Sequence, residues 1–157
     1  MKFLKAVSIL LILVAQTAHA DTFDKLKALE GRWIATEGTE ETEVKYELYA
    51  NGTAIAEHLW GMVTIYHQNG EDLFATHYCS MGNQPRMIAL KPDPTAQSLS
   101  FRFLDITNDT GAGHISGVAF RFVSPDEFVQ TWTHRDAAGV DSSFDMTYRR
   151  AAPTGAR

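Results

Sequence analysis

Apolar and polar side chains alternate with a period of two along most of the chain after residue 32, in short runs separated by turn residues. The runs are rich in Val, Ile, Thr, Tyr and Phe, and this combination is typical of strands that bury one face. About ten strands are therefore predicted, over residues 33–37, 42–49, 53–60, 62–67, 72–79, 86–91, 98–104, 115–123, 127–134 and 142–149.

A different period precedes the strands. Phe23, Leu26 and Leu29 are spaced as on one face of a helix, and Gly31 follows them as a usual helix terminator. We therefore expect one short helix over residues 21–30, ahead of the first strand.

The turn residues between the runs favour hairpins. Asn51-Gly52 and Asn69-Gly70 both accept the positive φ values of a two-residue type I′ turn. Such turns join adjacent antiparallel strands, and closing these strands into a barrel removes the exposed sheet edges. The predicted fold is all-β, an antiparallel up-and-down β-barrel, with a two-sheet sandwich as the alternative.

The turn at Asn51-Gly52 determines which residues lie opposite each other. A two-residue turn there pairs Tyr46 with Glu57 on the more apolar face of the hairpin, and this face is predicted to point inward. Glu57 is therefore a candidate buried acid. We expect the Tyr46 hydroxyl to be its partner, because a buried carboxylate needs hydrogen bonds.

The same reasoning at Asn69-Gly70 pairs His67 with Asp72. If the alternation runs unbroken through Gly61, the face that carries Val63 and His67 also points inward, whereas a bulge at the glycine would reverse the two faces. We expect the unbroken arrangement, with His67 inside.

The C-terminal runs set aromatic side chains on one face of each strand, with a few polar groups among them. Gln130, Trp132 and His134 belong to this set, which is predicted to point inward. Such a lining suits either a packed core or a cavity that holds a ligand.

The first twenty residues differ from the rest. Lys2 and Lys5 precede a run of mostly apolar residues, and Ala18-His19-Ala20 has the small-x-small form that signal peptidases accept. The apolar run is shorter than the roughly 20 residues that span a bilayer. We therefore expect an export signal over residues 1–20, one domain over residues 21–157, and a periplasmic or secreted protein with no membrane span.

The composition of the chain argues against nucleic acid as a partner and against a disulfide or a metal site. Of 157 residues, 45% are hydrophobic and 21% charged, as in a globular domain, and the net charge of −5 offers no basic excess for nucleic acid. Cys79 is the only cysteine, so no intramolecular disulfide forms. His77 and Cys79 are spaced to give two metal ligands, but without a third ligand packing is the preferred interpretation and no metal is predicted.

Gly31-Arg32-Trp33 after a short helix resembles the opening of calycin-type barrels, in which the Trp packs across the closed end of the barrel. The segment 62–87 is similar to one found in exported bacterial proteins of a lipocalin-like type. The resemblance implies a lipocalin-like barrel with structural roles for Gly31 and Trp33, and it carries no established reaction. Nitrobindin-like haem barrels also resemble the chain in strand number, and haem would have to use His134 or an unexpected residue. No cofactor is predicted, and haem is kept as an alternative.

Three functions fit these observations. We expect first a binding barrel for a small, largely apolar ligand. The alternatives are an enzyme that uses Glu57 and His67 in acid–base chemistry and a filled barrel that acts through its surface. Common hydrolase, nucleotide-binding and zinc-protease motifs are absent from the sequence.

Arg86 is a candidate because its guanidinium would bind a ligand carboxylate or neutralise an acid. The candidate ligand-binding residues are Tyr46, Glu57, His67, Tyr78, Arg86, Gln130, Trp132 and His134.

Overall fold

Ten antiparallel strands form a closed barrel in which each strand pairs with its neighbours in sequence and the last strand pairs with the first. The structure is a computed structural model, and it describes residues 18–90 and 97–152. The predicted all-β, up-and-down barrel with a short N-terminal helix is confirmed. The elements are α1 Ala18–Lys27, β1 Gly31–Glu37, β2 Glu40–Tyr49, β3 Ala54–Leu59, β4 Met62–Asn69, β5 Asp72–Tyr78, β6 Gln84–Ala89, β7 Ser98–Thr107, β8 His114–Ser124, β9 Glu127–Arg135 and β10 Asp141–Arg150.

Helix α1 lies three residues earlier than predicted. It ends at Lys27, and Leu29 and Glu30 continue in a tight turn whose amides bond to the carbonyls three residues back. Gly31 then starts β1 with a φ of +122°, a conformation that favours glycine. Residues 1–17, which form most of the predicted export signal, lie outside the described residues.

The first hairpin has the predicted register. Tyr46 of β2 lies opposite Glu57 of β3, and both side chains are buried on the inner face. The loop between the strands has four residues instead of two, and Asn51 and Gly52 within it have the expected positive φ values. The inward position predicted for Glu57 is therefore correct.

The second hairpin is shifted by two residues from the prediction. Asn69 lies opposite Asp72, so the turn is Gly70-Glu71 and Asn69 remains in β4. His67 consequently faces Phe74 across the strands instead of Asp72, and the two rings stack with centroids 5.7 Å apart. The predicted His67–Asp72 pair was wrong because Gly70, with a φ of +61°, occupies the first position of the turn.

The chain reverses at Trp60-Gly61, where an unbroken alternation was predicted. Trp60 and Gly61 have φ values of +52° and +75°, and Leu59 pairs with Met62 on either side of the turn. Paired residues share a face of the sheet, so Met62 lies on the inner side with Leu59. The face of β4 that carries His67 is therefore outside the barrel, which corrects the prediction.

One end of the barrel is closed by α1 and Trp33. The Trp33 indole is fully buried, and its Nε1 donates to the Leu29 carbonyl oxygen at 2.7 Å. The Arg150 guanidinium lies 4.3 Å from the centre of the Trp33 ring and donates to the carbonyl oxygens of Ala28 and Glu30. Trp33 thus packs across the closed end, as the resemblance to calycin-type barrels implies.

The opposite end, called here the open end, carries the turns at 38–39, 60–61, 79–83, 108–113 and 136–140. Between the two ends, inward side chains from every strand fill the barrel. The largest fully buried ones are Trp33, Tyr46, Tyr66, Tyr148, Phe120 and Phe128. The interior is therefore a packed aromatic core along most of its length.

Candidate functional site

Two groups of polar side chains enter the interior, one within the core and one near the open end. The core group surrounds Glu57, which is 1% exposed. Tyr66 Oη donates to Glu57 Oε2 at 2.7 Å, and Gln130 Nε2 donates to the same oxygen at 2.9 Å. Tyr148 Oη donates to Glu57 Oε1 at 3.2 Å. Three strands, β4, β9 and β10, therefore supply donors to one buried carboxyl group.

Burial dominates the acid–base properties of this group. It raises the pKa of Glu57 above its usual value, and the donors from Tyr66 and Gln130 oppose that shift. Burial and the adjacent Glu57 carboxyl raise the pKa of Tyr66 and of Tyr148 well above the usual phenol value. Both phenols therefore remain protonated at neutral pH and keep their hydrogen bonds to the acid.

Tyr46 contributes less directly than predicted. Its hydroxyl lies close enough to Glu57 to lower the pKa of that carboxyl, but within the described residues no atom completes a hydrogen bond to it. The hydrogen bond expected from Tyr46 is instead supplied by Tyr66 and Tyr148, neither of which was a candidate.

Aromatic rings enclose the Glu57 group. Phe128 stacks on Tyr148 with centroids 4.4 Å apart, and Phe120 contacts the Tyr66 ring edge to face at 5.6 Å. A buried polar network with this degree of packing rigidifies a core and specifies one arrangement of it. Glu57 thus has the surroundings of a structural core residue.

A pocket of about 150 Å³ lies at the open end, beyond this core. Its wall is formed by the ends of β3, β4 and β5, the turns after β3 and β5, and inward side chains of β8, β9 and β10. Its surface is mostly apolar, with one imidazole and one thiol among the side chains. The lining residues are Leu59, Trp60, Met62, His77, Cys79, Ser80, Met81, Ile115, Trp132 and Phe144.

His77 is the main polar feature of the pocket. The residue is 4% exposed, its Nδ1 shares a hydrogen bond of 2.8 Å with Thr64 Oγ1, and its ring packs against Trp132 at 5.4 Å. Within the described residues Nε2 is buried without a partner. Burial lowers the pKa of His77 to about 4, so the imidazole is neutral at physiological pH. A neutral ring held at Nδ1 presents Nε2 for a hydrogen bond or a metal bond.

Trp60 forms the outer lip of the pocket and is half exposed. Its φ of +52° is rare for a bulky residue and costs about 1–2 kcal/mol. Strained conformations of this kind concentrate at functional sites. The ring lies 6.4 Å from Phe144 across the mouth of the pocket.

The structure brings some of the predicted ligand-binding residues together and separates others. Tyr46, Glu57 and Gln130 meet in the core, and Trp132 lines the open-end pocket. His134 lies further along β9, with its half-buried ring beside Gly113.

The three remaining candidates lie outside the barrel wall. Tyr78 is 47% exposed, and Arg86 forms a bidentate ion pair with Asp105 on the outer surface. His67 and Glu57 lie on opposite faces of the wall, so the acid–base pair considered from the sequence does not assemble. The guanidinium of Arg86 neutralises Asp105 and does not approach Glu57.

The sequence contained one signal that would have identified His77. Trp60-Gly61 is an x-Gly pair between two alternating runs, and a turn there makes Leu59 and Met62 partners. Counting from Met62 then places Thr64 on the inner face, together with its partner His77. Tyr66 follows in the same count, but its approach to Gln130 depends on barrel closure.

No protein-family model matches the chain, and no curated protein matches it. In residues 18–90 and 97–152, no three His, Cys, Asp or Glu side chains are grouped to hold a metal ion. No helix in those ranges has the length and hydrophobicity needed to cross a membrane.

Proposed function

We propose that this chain is an exported, lipocalin-like barrel that binds one small, largely apolar molecule in the pocket at its open end. The observation that carries the proposal is the combination of an apolar wall with a single buried imidazole nitrogen that lacks a partner. Ligand sites commonly have this composition, a hydrophobic surface with a few placed polar groups.

The size of the pocket limits the ligand. A cavity of about 150 Å³ with apolar walls accommodates a molecule the size of benzene. Leu59, Ile115 and Phe144 supply aliphatic and aromatic contacts, and the Trp132 ring forms part of the wall. We therefore infer a ligand built around one ring or a short branched alkyl group.

His77 supplies the polar contact. In the tautomer in which Nδ1 donates to Thr64 Oγ1, Nε2 carries a lone pair and accepts a hydrogen bond. A ligand hydroxyl is the matching group, because it donates to Nε2 without bringing a charge into an apolar pocket. Phenol has both the ring and the hydroxyl and serves as a probe.

Export and the lipocalin-like relationship rest on other features. The basic start, the apolar run and Ala18-His19-Ala20 support an export signal. The closed barrel and the packing of Trp33 across its closed end support the relationship to lipocalin-like barrels. A barrel with one closed and one open end is a suitable container for a ligand that enters from solvent.

The proposal is tested by isothermal titration calorimetry with phenol and its isostere toluene. We expect 1:1 binding of both, with dissociation constants of about 0.1–1 mM, equivalent to about −5.5 to −4 kcal/mol. His77→Leu should reduce the affinity for phenol about fivefold relative to the affinity for toluene, because one hydrogen bond contributes about 1 kcal/mol. Met87→Leu, a change in the core away from the pocket, is the matched control and should preserve both affinities.

Two results would overturn the proposal. One is the absence of measurable binding of either probe, which would favour a filled barrel that acts through its surface. The other is an unchanged ratio of phenol to toluene affinity in His77→Leu, which would exclude Nε2 as the polar contact.

A further inference from the structure

The wall of the open-end pocket concentrates the soft donor atoms of the chain. The sequence has one cysteine and five methionines, and this pocket collects Cys79, Met62 and Met81 beside His77. Three sulfur-containing side chains and one imidazole thus line a space of about 150 Å³. Each of these side chains is an ordinary packing residue by itself, but together they set one thiol and two thioethers beside an imidazole whose Nε2 has no partner in the described residues.

Strand register explains how three of the donors meet. Thr64 pairs with His77 and Val63 pairs with Tyr78. Continuing this register by one residue sets Met62 across from Cys79, where side chains on one face are close neighbours. His77 and Cys79 project to the same side because they are two residues apart.

The turn after β5 supplies the fourth donor. Cys79 N donates to the Asn83 carbonyl oxygen at 3.1 Å, and Gly82 N donates to the Cys79 carbonyl oxygen at 3.0 Å. These bonds fold the segment back over the end of the barrel, and Met81 within it lines the pocket. The thioether therefore comes from a turn fixed at both ends.

We propose that the open-end pocket is a binding site for one Cu(I) ion, coordinated by Cys79 Sγ, His77 Nε2 and the thioether sulfurs of Met62 and Met81. Thiolate and thioether ligands select soft monovalent copper, and imidazole is also a good copper ligand. Thr64 Oγ1 holds the other ring nitrogen, as a second group commonly does for a ligating histidine.

Charge favours the same ion. The described lining residues include no carboxylate, so a divalent cation bound to one thiolate would remain charged in an apolar wall. Coordination of Cu(I) releases the Cys79 thiol proton to solvent, and the resulting thiolate and monocation neutralise each other. No change of oxidation state is involved.

This inference rests on the proposed function in that it uses the same pocket. It also goes beyond it, because the metal and a phenol-like molecule require the same Nε2 and must exclude one another. Phenol binding and copper binding are measured independently, so failure of one does not decide the other.

The test is an anaerobic titration of the reduced protein with Cu(I) supplied as its coloured complex with bathocuproine disulfonate, whose absorbance falls as copper is withdrawn. We expect withdrawal of one equivalent of copper, and an X-ray absorption spectrum with sulfur as well as nitrogen neighbours. Cys79→Ser, His77→Gln and the double change Met62→Leu with Met81→Leu should each reduce the affinity at least about tenfold. Met87→Leu replaces a methionine outside the pocket and should withdraw copper as the parent protein does.

Failure to withdraw copper from the chelator would overturn the site. The site would also be overturned if Cys79→Ser withdraws copper as well as the parent protein does. Full copper affinity in the double methionine variant would overturn it too. Variants that fail to fold are recognised by circular dichroism. Thr64→Val then provides a second test, because loss of the hydrogen bond to the ligating imidazole should lower copper affinity roughly 10–100-fold.

Discussion

Thr64 Oγ1 and His77 Nδ1 lie 2.8 Å apart in a hydrogen bond between β4 and β5, and this contact determines which imidazole nitrogen meets the open-end pocket. Thr64 is itself buried, so the bond is sheltered from solvent. With Nδ1 engaged and the ring packed on Trp132, Nε2 of His77 is a lone-pair acceptor available to an occupant. The indole Nε1 of Trp132 is a second buried polar atom without a partner in the described residues. The hydrogen bond with Thr64 thereby fixes the orientation of the His77 ring and leaves its Nε2 available for binding.

Burial of His77 makes the stability of the barrel depend on pH. The pKa of His77 is about 4 in the folded protein, against 6.5 in an unfolded chain. Between these values the unfolded state takes up the proton and the folded state does not. The free energy of unfolding should therefore fall by about 3 kcal/mol as the pH falls from 6.5 to 4. Urea unfolding at a series of pH values measures this decrease in the free energy of unfolding.

His77→Gln is the matched control for this pH dependence. It keeps a polar group near Thr64 and removes the titration, so its stability should depend less on pH across the same window. An equal decrease in both proteins would assign the effect to other groups.

The pH dependence of stability that comes from Glu57 is expected to have the opposite sign to that from His77. Its folded pKa is raised above 4.5, so the folded state holds the proton more tightly than the unfolded chain does. The parent protein should lose stability relative to Glu57→Gln as the pH rises from 4.5 through the folded pKa. Unfolding free energies of both proteins over this range give the difference. If the parent does not lose stability relative to Glu57→Gln as the pH rises through this range, the pKa of Glu57 is not raised in the folded protein.

The conformation of Trp60 is tested by a pair of substitutions at the same position. Trp60→Ala and Trp60→Asn both remove the ring from the lip of the pocket, but Asn tolerates the positive φ and forms the preferred Asn-Gly turn. Trp60→Asn should therefore be about 1 kcal/mol more stable than Trp60→Ala in urea unfolding. Both should bind phenol more weakly than the parent. Equal stability of the two variants would show that the turn is not strained.

Trp33 should dominate the stability of the closed end. Trp33→Ala removes a fully buried ring from between α1 and Arg150, and should reduce the free energy of unfolding by about 3–5 kcal/mol. Tyr49→Ala is the control on the outer surface, where a half-exposed ring is removed. A loss below about 1 kcal/mol for Trp33→Ala would contradict its role in closing the barrel.

Alternation and turn residues were sufficient to predict the strands and the inward position of Glu57. The register of the first hairpin followed from Asn51-Gly52, because both residues adopt the positive φ values that the turn requires. The second hairpin was shifted because Gly70 occupies the first turn position, so Asn69 stays in the strand.

The error at Trp60-Gly61 had the largest consequence for the site. Tryptophan is rare at positive φ, so its residue type argued against the turn that the structure contains. That single reversal exchanged the inner and outer faces of β4 and β5, and it moved His77 inside and His67 outside. The bonds of Gln130 and Tyr148 to Glu57 join residues far apart in sequence, and only closure of the barrel brings them together.

The most direct test of the open-end pocket is the nitrogen chemical shift of the His77 imidazole, measured by NMR on ¹⁵N-labelled protein during titration with phenol. We expect a saturable change at Nε2 of His77, with Nδ1 and the outward-facing ring of His67 nearly unchanged. If phenol binds without moving the Nε2 resonance, or moves the resonances of His67 instead, then His77 is not the polar contact of the open-end pocket.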